Sequence, residues 1–352
     1  AEAGAMDPQQ RLLLERGYGA LHAGGAQRAT LSGALVGTFI GVEMHDFESV
    51  LAASPLGGSV YAATGSSLSI ASGRLSYVLG LHGPCASYAT ACSAALTAFH
   101  AARRALQLDE CASGLVSGAN LMLTPHVGTS FAVAGMTSPV GRCHTFDARA
   151  DGYARGEACS SASLRASADD GCMASGSAVR QDGRSASLTA PSGTAQQGLL
   201  RASLGDAGID SCDLATAEAH GTGTALGDPI EAGSLAGAVL RPLGTGTMVA
   251  LGSSKANVGH GETAAGASGV LRLVVQLEAA RAAPNAQLAV LNPHVGSAIS
   301  GLACALPQQL AVSTERSYGG VGSFGYSGTI VHAVISLLPV SHVCDLSTIL
   351  RL

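Results

Sequence analysis

Residues 83–106 read GPCASYATACSAALTAFHAARRAL. A run of small residues, Ala86 to Ala91, delivers Cys92 to the start of a segment whose apolar residues Leu96, Phe99, Ala102 and Leu106 recur at helical spacing. A thiol in the first turn of a helix faces unpaired backbone N–H groups and the positive end of the dipole. That environment favours thiolate and makes a nucleophile. The same position also suits a small buried cysteine, since free cysteine is among the most buried residue types. The rest of the chain has to separate the two.

Upstream, Asp7-Pro8-Gln9-Gln10 has the form of a helix start, with Asp as N-cap, Pro at the first helical position and Gln in the capping-box place. The helix runs through Leu12–Leu21, and Gly17 and Gly19 each weaken it by ~1 kcal/mol relative to Ala. Ala34–Val42 reads as a buried strand, Ile70–Leu79 as a helix, and Gly114–Leu123 as the strand after the Cys92 helix. Residues 125–156 read as loop-rich and carry FDARADGYARGE at 146–157. Strands follow at Ser160–Leu164, Ala178–Thr189 (with a turn), Leu214–Glu218 and Thr247–Gly252. Helices are expected at Ala195–Gly208, Pro229–Leu240 and Ala264–Ala280, and a last strand at Thr329–Leu338. Strands alternating with helices argue an α/β fold, and no low-complexity linker divides it. The tail from 340 to 352 fits no pattern.

Composition narrows the function classes. The 352 residues are 47% apolar and 12% charged, with mean hydropathy +0.32, enough for a large core or two fused halves. The net charge of −5, with Arg103-Arg104 as the one adjacent basic pair, argues against nucleic acid as a partner. No apolar run reaches the ~18 to 20 residues of a membrane span, and the first residues lack the pattern of a signal peptide. Nine cysteines without a CxxC read as thiols in a reducing compartment, cytoplasm or plastid, rather than a disulfide framework of a secreted protein. Cys85 reads as a small buried residue. The 19 basic residues are 18 arginines and one lysine, Lys255, which invites a role for that ammonium.

Two histidines sit in Gly-rich contexts: His220 in EAHGTGTALGDPIE and His260 in SSKANVGHGETAAG. Each follows an expected strand and precedes an expected helix, which places it at the carboxyl edge of a sheet, where α/β sites form. A metal is the rival use of Cys and His, but neither HExxH nor short zinc spacings occur. Gly320 to Gly325 matches GxGxxG yet runs into a strand-like segment, so a dinucleotide reading loses its context, and no Walker A motif exists. A protease would orient one His with a carboxylate or amide. Two imidazoles that can each donate an N–H suit another task, stabilising negative charge on a thioester oxygen or enolate.

These strings resemble the β-ketoacyl synthase (ketosynthase) family, in its polyketide synthase form. DPQQRLLLE, GPCASYATACSAAL, NLMLTP, AGMTSPVGRCHTFDARADGYARGE, QDGRSASLTAP, EAHGTGTALGDPIEAG, SSKANVGHGETAAGASG, NPHV and GVGSFGYSGT occur in family order over nearly the whole chain. The resemblance implies a thiolase-like fold, five αβαβα layers from two similar halves, here 1–166 with the nucleophile and 167–339 with the histidines, with 340–352 unassigned. It implies Cys92 as acyl-carrying nucleophile, and His220 and His260 as the groups that promote decarboxylation of a malonyl-type extender and stabilise its enolate for Claisen condensation. Lys255, held by Glu262, would support His260. The Cys92 and Phe324 N–H groups would form the oxyanion hole, with Phe324 as gate and Thr222, Thr224 and Gly325 lining the pocket. The partners implied are an acyl carrier protein, whose phosphopantetheine arm brings acyl and malonyl thioesters, and a second copy in a homodimer. No bound cofactor or metal is implied.

The chain departs from the family pattern in places. The family usually starts some tens of residues earlier with a first strand and Gly-rich turn, which implies a fragment or shortened form. Ala89 stands where an acidic residue often precedes the nucleophile by three, Ile330 where Asn often follows SGT, and Arg180 where Asn often precedes QDG. Other readings are a non-catalytic partner protein, a coenzyme A thiolase and a transfer-only ketosynthase. The first typically replaces the active Cys, the second pairs two cysteines with one His, and the third loses the HGTGT histidine. Cys92, His220 and His260 are all present.

Overall fold

Asp7 accepts the Gln9 N–H at 2.7 Å and Pro8 takes the first helical position, so α1 (Pro8–Ala23) starts as its sequence predicts. Gly17 in this helix does more than weaken it. A Cβ there would lie 3.0 Å from Leu75 Cδ2 and 3.1 Å from Leu115 Cδ2, so packing on a close approach offsets the lost propensity. The computed structural model describes residues 2–43, 45–166, 171–243, 248–312, 318–337 and 348–351. In chain order α1 is followed by β1 (Val36–Val42), α2 (Leu68–Leu79), β2 (Cys85–Tyr88), α3 (Ala94–Gln107), β3 (Ser113–Asn120), α4 (Pro125–Val133) and β4 (Ala158–Arg165). Then come β5 (Cys172–Gln181), α5 (Gly193–Ala207), β6 (Leu214–Glu218), α6 (Gly227–Leu235), β7 (Val249–Gly252), α7 (Lys255–Val258) and α8 (Ala265–Glu278). The chain closes with β8 (Cys304–Ala305), β9 (Tyr318–Phe324), β10 (Thr329–Leu337) and β11 (Thr348–Arg351).

The strand order is β2-β1-β3-β4-β11-β5-β10-β9-β6-β7-β8. β1 is buried along its whole length and pairs in parallel with β2 and β3, as a strand covered on both faces must. β6 is likewise parallel to β9 and β7. Helices α1 and α2 cover the outer face of β1–β4, α3 and α8 lie between the two sets of strands, and α5 and α6 cover the outer face of the second set. This is the thiolase-like fold in five αβαβα layers. The buried middle is Phe39, Leu96, Phe99, Leu106, Val116, Leu273, Val321 and Ile335, each worth about 1.5–3 kcal/mol of burial.

Lying between the two sets of strands, α3 is buried on most of its faces, which accounts for its alanines at 94, 95, 98, 102 and 105. Arg103 is buried in it because every part of its guanidinium is used. Nε donates to Ala174 O (2.7 Å), Nη2 to Ser175 O (2.6 Å), and Nη1 pairs with Asp206 (2.6 Å). Three differences from the sequence reading stand out. Residues 125–133 form α4, which Pro125 opens at its first position. β5 begins at Cys172 rather than 178, because its small-residue first half is held by pairing with β10 rather than by propensity. Cys85 is exposed on edge strand β2, not buried. From the unassigned tail, β11 joins β4 to β5; the residues before it lie outside the described ones.

Candidate active site

The carboxyl ends of parallel strands carry the chemistry-bearing side chains, as α/β geometry predicts. Cys92 follows β2, His220 follows β6, and Lys255 follows β7. Cys92 sits in a single 3-10 turn, Ala91–Ser93, ahead of α3. Ala91 before it holds φ +52°, a left-handed conformation costing about 1–2 kcal/mol for an L-residue. Its N–H donates to Glu43 Oε1 at 3.1 Å, and Ser323 Oγ donates to Cys92 O at 2.7 Å, so β1 and β9 together pin the turn.

The two imidazoles meet edge to face, with ring centroids 5.5 Å apart. His260 is fully buried; its backbone N–H donates to Ala154 O (2.7 Å), and its carbonyl accepts from Gly156 (2.8 Å). Tyr153 packs edge-on against its ring at 5.1 Å. The DGYARGE loop is therefore the cradle of His260. Each Nδ1 accepts a backbone N–H at 3.3 Å, from Glu262 for His260 and from Phe324 for His220. These bonds assign the proton of each ring to Nε2. His260 Nε2 lies 3.1 Å from Cys92 Sγ. Burial, then the Lys255 charge, holds both histidines well below their ordinary pKa, so both are neutral donors.

The ligand atoms of Cys92, His220 and His260 lie within 4.8 Å of one another, the one such group among the described residues that a metal ion could bridge. A metal would need the Nε2 lone pairs, and the Nδ1 bonds put protons there. The set is built to donate to an oxygen.

Three expectations need correction. Burial outweighs the helix dipole at Cys92 and pushes the thiol up to about 12, with Glu262 and Glu43 adding to the rise. Lys255 and a hydrogen bond from the Tyr326 N–H act the other way. Next, Phe324 is not the residue whose N–H faces the sulfur: its N–H is given to His220, and Tyr326 supplies the one at Cys92. Gly325 permits this approach, since a Cβ there would fall 2.5 Å from Thr90 O. Lastly, the side chain of Glu262 is held by Arg155, with Nη2–Oε2 at 2.9 Å, rather than by Lys255. The forked guanidinium matches both carboxylate oxygens and fixes Glu262, at φ +42°, with its N–H on His260.

Lys255 is buried beside the trio, and its charge bears on Cys92 and both histidines. Lys255→Met is therefore expected to raise the Cys92 pKa further and slow its alkylation by iodoacetamide at pH 8 by roughly three- to tenfold. An unchanged pH profile of alkylation would remove Lys255 from the electrostatics of the thiol.

A cavity of ≈ 290 Å³ opens on the trio and is lined by Thr222, Thr224, Phe324, Gly325 and Tyr326 among others. Tyr326 also lines a second cavity of ≈ 320 Å³, with Glu43, Asp46, Phe131 and Arg155, and so separates the two. The sequence reading missed Tyr326, Tyr153 and Arg155. The last two lay inside the quoted FDARADGYARGE string without an assigned role.

The β-ketoacyl synthase N-terminal domain model matches residues 1–169, and the C-terminal domain model matches residues 172–289. The chain belongs to the β-ketoacyl synthase family. Among curated relatives of this ketosynthase chain, a phenolphthiocerol/phthiocerol polyketide synthase protein of Mycobacterium tuberculosis is 41% identical over 96% of the chain. The spectinabilin polyketide synthase system protein NorC of Streptomyces orinoci is 39% identical over 96%. The chain spans only 16% and 15% of the length of these two. Among solved structures, the ketosynthase from module 6 of the bacillaene synthase of Bacillus subtilis 168 superposes with a TM-score of 0.86 at 33% identity, covering 95% of this chain and 60% of that one. The oxazolomycin ketosynthase domain OzmH KS7 of Streptomyces albus JA3453 gives 0.89 at 31%, covering 97% and 62%. No helix among the described residues is long and apolar enough to cross a membrane.

Proposed function

We infer that this chain is a condensing ketosynthase that joins a Cys92-bound acyl group to a malonyl-type extender carried on an acyl carrier protein, in polyketide or related acyl-chain synthesis. The observation that carries this reading is the pair of neutral imidazoles, each fixed by a backbone N–H as an Nε2 donor beside Cys92. In the first step the Cys92 sulfur attacks the acyl thioester. The bond to the pantetheine sulfur breaks, and the thiol proton leaves with that sulfur. The forming thiolate is supported by His260 Nε2–H, the Tyr326 N–H and Lys255.

In the second step the malonyl carboxylate leaves as carbon dioxide, and its C–C bonding pair becomes an enolate. The enolate oxygen takes N–H bonds from His220 and His260, donors already oriented toward the cavity. The enolate carbon then attacks the Cys92 thioester. The oxyanion that forms is held by the Cys92 and Tyr326 N–H groups until the C–S bond breaks, and the Cys92 thiolate so released takes a proton from water in the cavity to restore the thiol. Thr222 and Thr224 stand along the cavity where the phosphopantetheine arm would enter.

His220→Ala and His260→Ala are each expected to slow carbon dioxide release from a malonyl thioester by about 10²–10³-fold. Decarboxylation at the wild-type rate in either variant would overturn the roles given to the imidazoles.

A further inference from the structure

The buried face of α5 is a stripe at helical spacing: Gln196, Leu199, Leu200, Ser203 and Leu204. Ser203 Oγ donates to Leu200 O at 2.9 Å and lies 2.6 Å from His332 Nδ1, so its hydroxyl is spent inside the fold. Gln196 stands where the spacing calls for an apolar residue. It is 1% exposed, and its Oε1 has no hydrogen-bond partner among the described residues. The other buried glutamines differ. Gln9 Oε1 accepts from Leu121 at 3.3 Å, Gln10 Oε1 from Arg74 at 2.8 Å, and Gln276 Oε1 from Ala283 at 2.7 Å. Those amides tie chain segments together, and the Gln196 oxygen ties nothing.

Its place gives the oxygen a use. Gln196 lines the ≈ 290 Å³ cavity that opens on Cys92, His220 and His260, together with Thr189 and Pro191 from the segment before α5. A void that it also borders has only ≈ 10 Å³, the lower limit for a single water. Ser192 caps α5 by accepting the Ala195 N–H at 3.3 Å, which fixes where the helix begins and holds Gln196 at the cavity wall. The other buried side-chain atoms without partners among the described residues, Ser59 Oγ and His144 Nδ1, line neither large cavity. A buried acceptor without a donor lowers stability, and a ligand that brings the donor recovers the loss.

We propose that Gln196 is a substrate-binding residue whose Oε1 accepts an amide N–H of the phosphopantetheine arm. The proposal rests on the condensing reading above. It follows from which substrate groups can donate. A malonyl thioester offers a carboxylate and a carbonyl, which only accept, and an unsubstituted acyl chain offers no donor at all. The arm carries two secondary amides, each with one N–H. An acceptor that lacks a donor therefore selects the arm over the group it delivers. Thr222 and Thr224 line the same cavity with hydroxyls that can donate to the amide carbonyls, which leaves the N–H groups to Gln196.

The test measures carbon dioxide release from three malonyl thioesters by wild type and Gln196→Leu, each as the full chain. The thiols are ethanethiol, with no amide, N-acetylcysteamine, with the inner amide, and N-acetyl-β-alanylcysteamine, with both. The ratio of kcat/KM between successive thioesters isolates each amide. In Gln196→Leu one of the two ratios is expected to fall by about three- to tenfold relative to wild type, through KM rather than kcat. The step at which it falls names the amide. Leucine also removes the unpaired oxygen, so the urea midpoint is expected at or above that of wild type, which a glutamine with a structural role would not give. Should Gln196→Leu yield no soluble protein, Gln196→Met is read in the same assays. Ratios equal in variant and wild type at both steps would overturn the role of Gln196 alone. A wild type inert toward all three thioesters would overturn the condensing reading and the role of Gln196 with it.

Discussion

Cys92→Ala is expected to abolish acyl loading and condensation while leaving malonyl decarboxylation in place. Loading needs a covalent bond to sulfur, and among the described residues no second cysteine lines either cavity. Decarboxylation needs donors for the enolate oxygen, and those are His220 and His260, whose Nδ1 bonds run to Phe324 and Glu262 rather than to the thiol. The fold should tolerate the change. The turn is pinned through backbone atoms and Glu43, and the side chain removed is worth about 1 kcal/mol of burial. Intact mass with an acyl thioester and carbon dioxide release from a malonyl thioester check the two halves. An acyl adduct that survives the substitution would place the nucleophile elsewhere.

Gly41→Ala is expected to cost more than about 3 kcal/mol and to leave little soluble protein. A Cβ on Gly41 of β1 would lie 2.2 Å from Ala95 N, 2.4 Å from Ala95 Cα and 2.5 Å from Ala94 C. Those are backbone atoms at the head of α3, the helix wedged between the two sets of strands, and neither side has room to yield. Any movement would also displace the turn that presents Cys92. Gly19→Ala in α1 is the matched control: a Cβ there meets nothing within 4 Å, and the helix should gain ~1 kcal/mol. Urea unfolding of both variants checks the contrast. A Gly41→Ala midpoint close to wild type would mean that β1 and α3 are not locked together.

Much of the fold was legible because its signals are local. The Asp7-Pro8 helix start, the buried run of β1 and the apolar stripe of α3 each follow from spacing within a dozen residues. The trio itself was legible through the Gly-rich strings around it. What escaped was decided across long separations. Glu262 lies seven residues from Lys255 but pairs with Arg155, on a loop 107 residues upstream. Phe324 and Tyr326 lie two apart, and only the path of the backbone past Thr90 shows which N–H turns toward the sulfur. The acidity of Cys92 was misjudged for a similar reason, since a helix start is visible in sequence and the depth of a site is not. Strand β5 lacks β-branched residues in its first half and depends on β10 to be a strand at all.

The most direct test is a single turnover on acyl-loaded protein. The purified chain is loaded from a short acyl thioester, freed of excess donor, and mixed with a malonyl thioester on an acyl carrier protein. The expected result is loss of the acyl mass from the Cys92 peptide, release of one equivalent of carbon dioxide, and a β-ketoacyl thioester two carbons longer on the carrier. Carbon dioxide release with the acyl group left on Cys92, or loss of that group to water, would contradict condensation at this site.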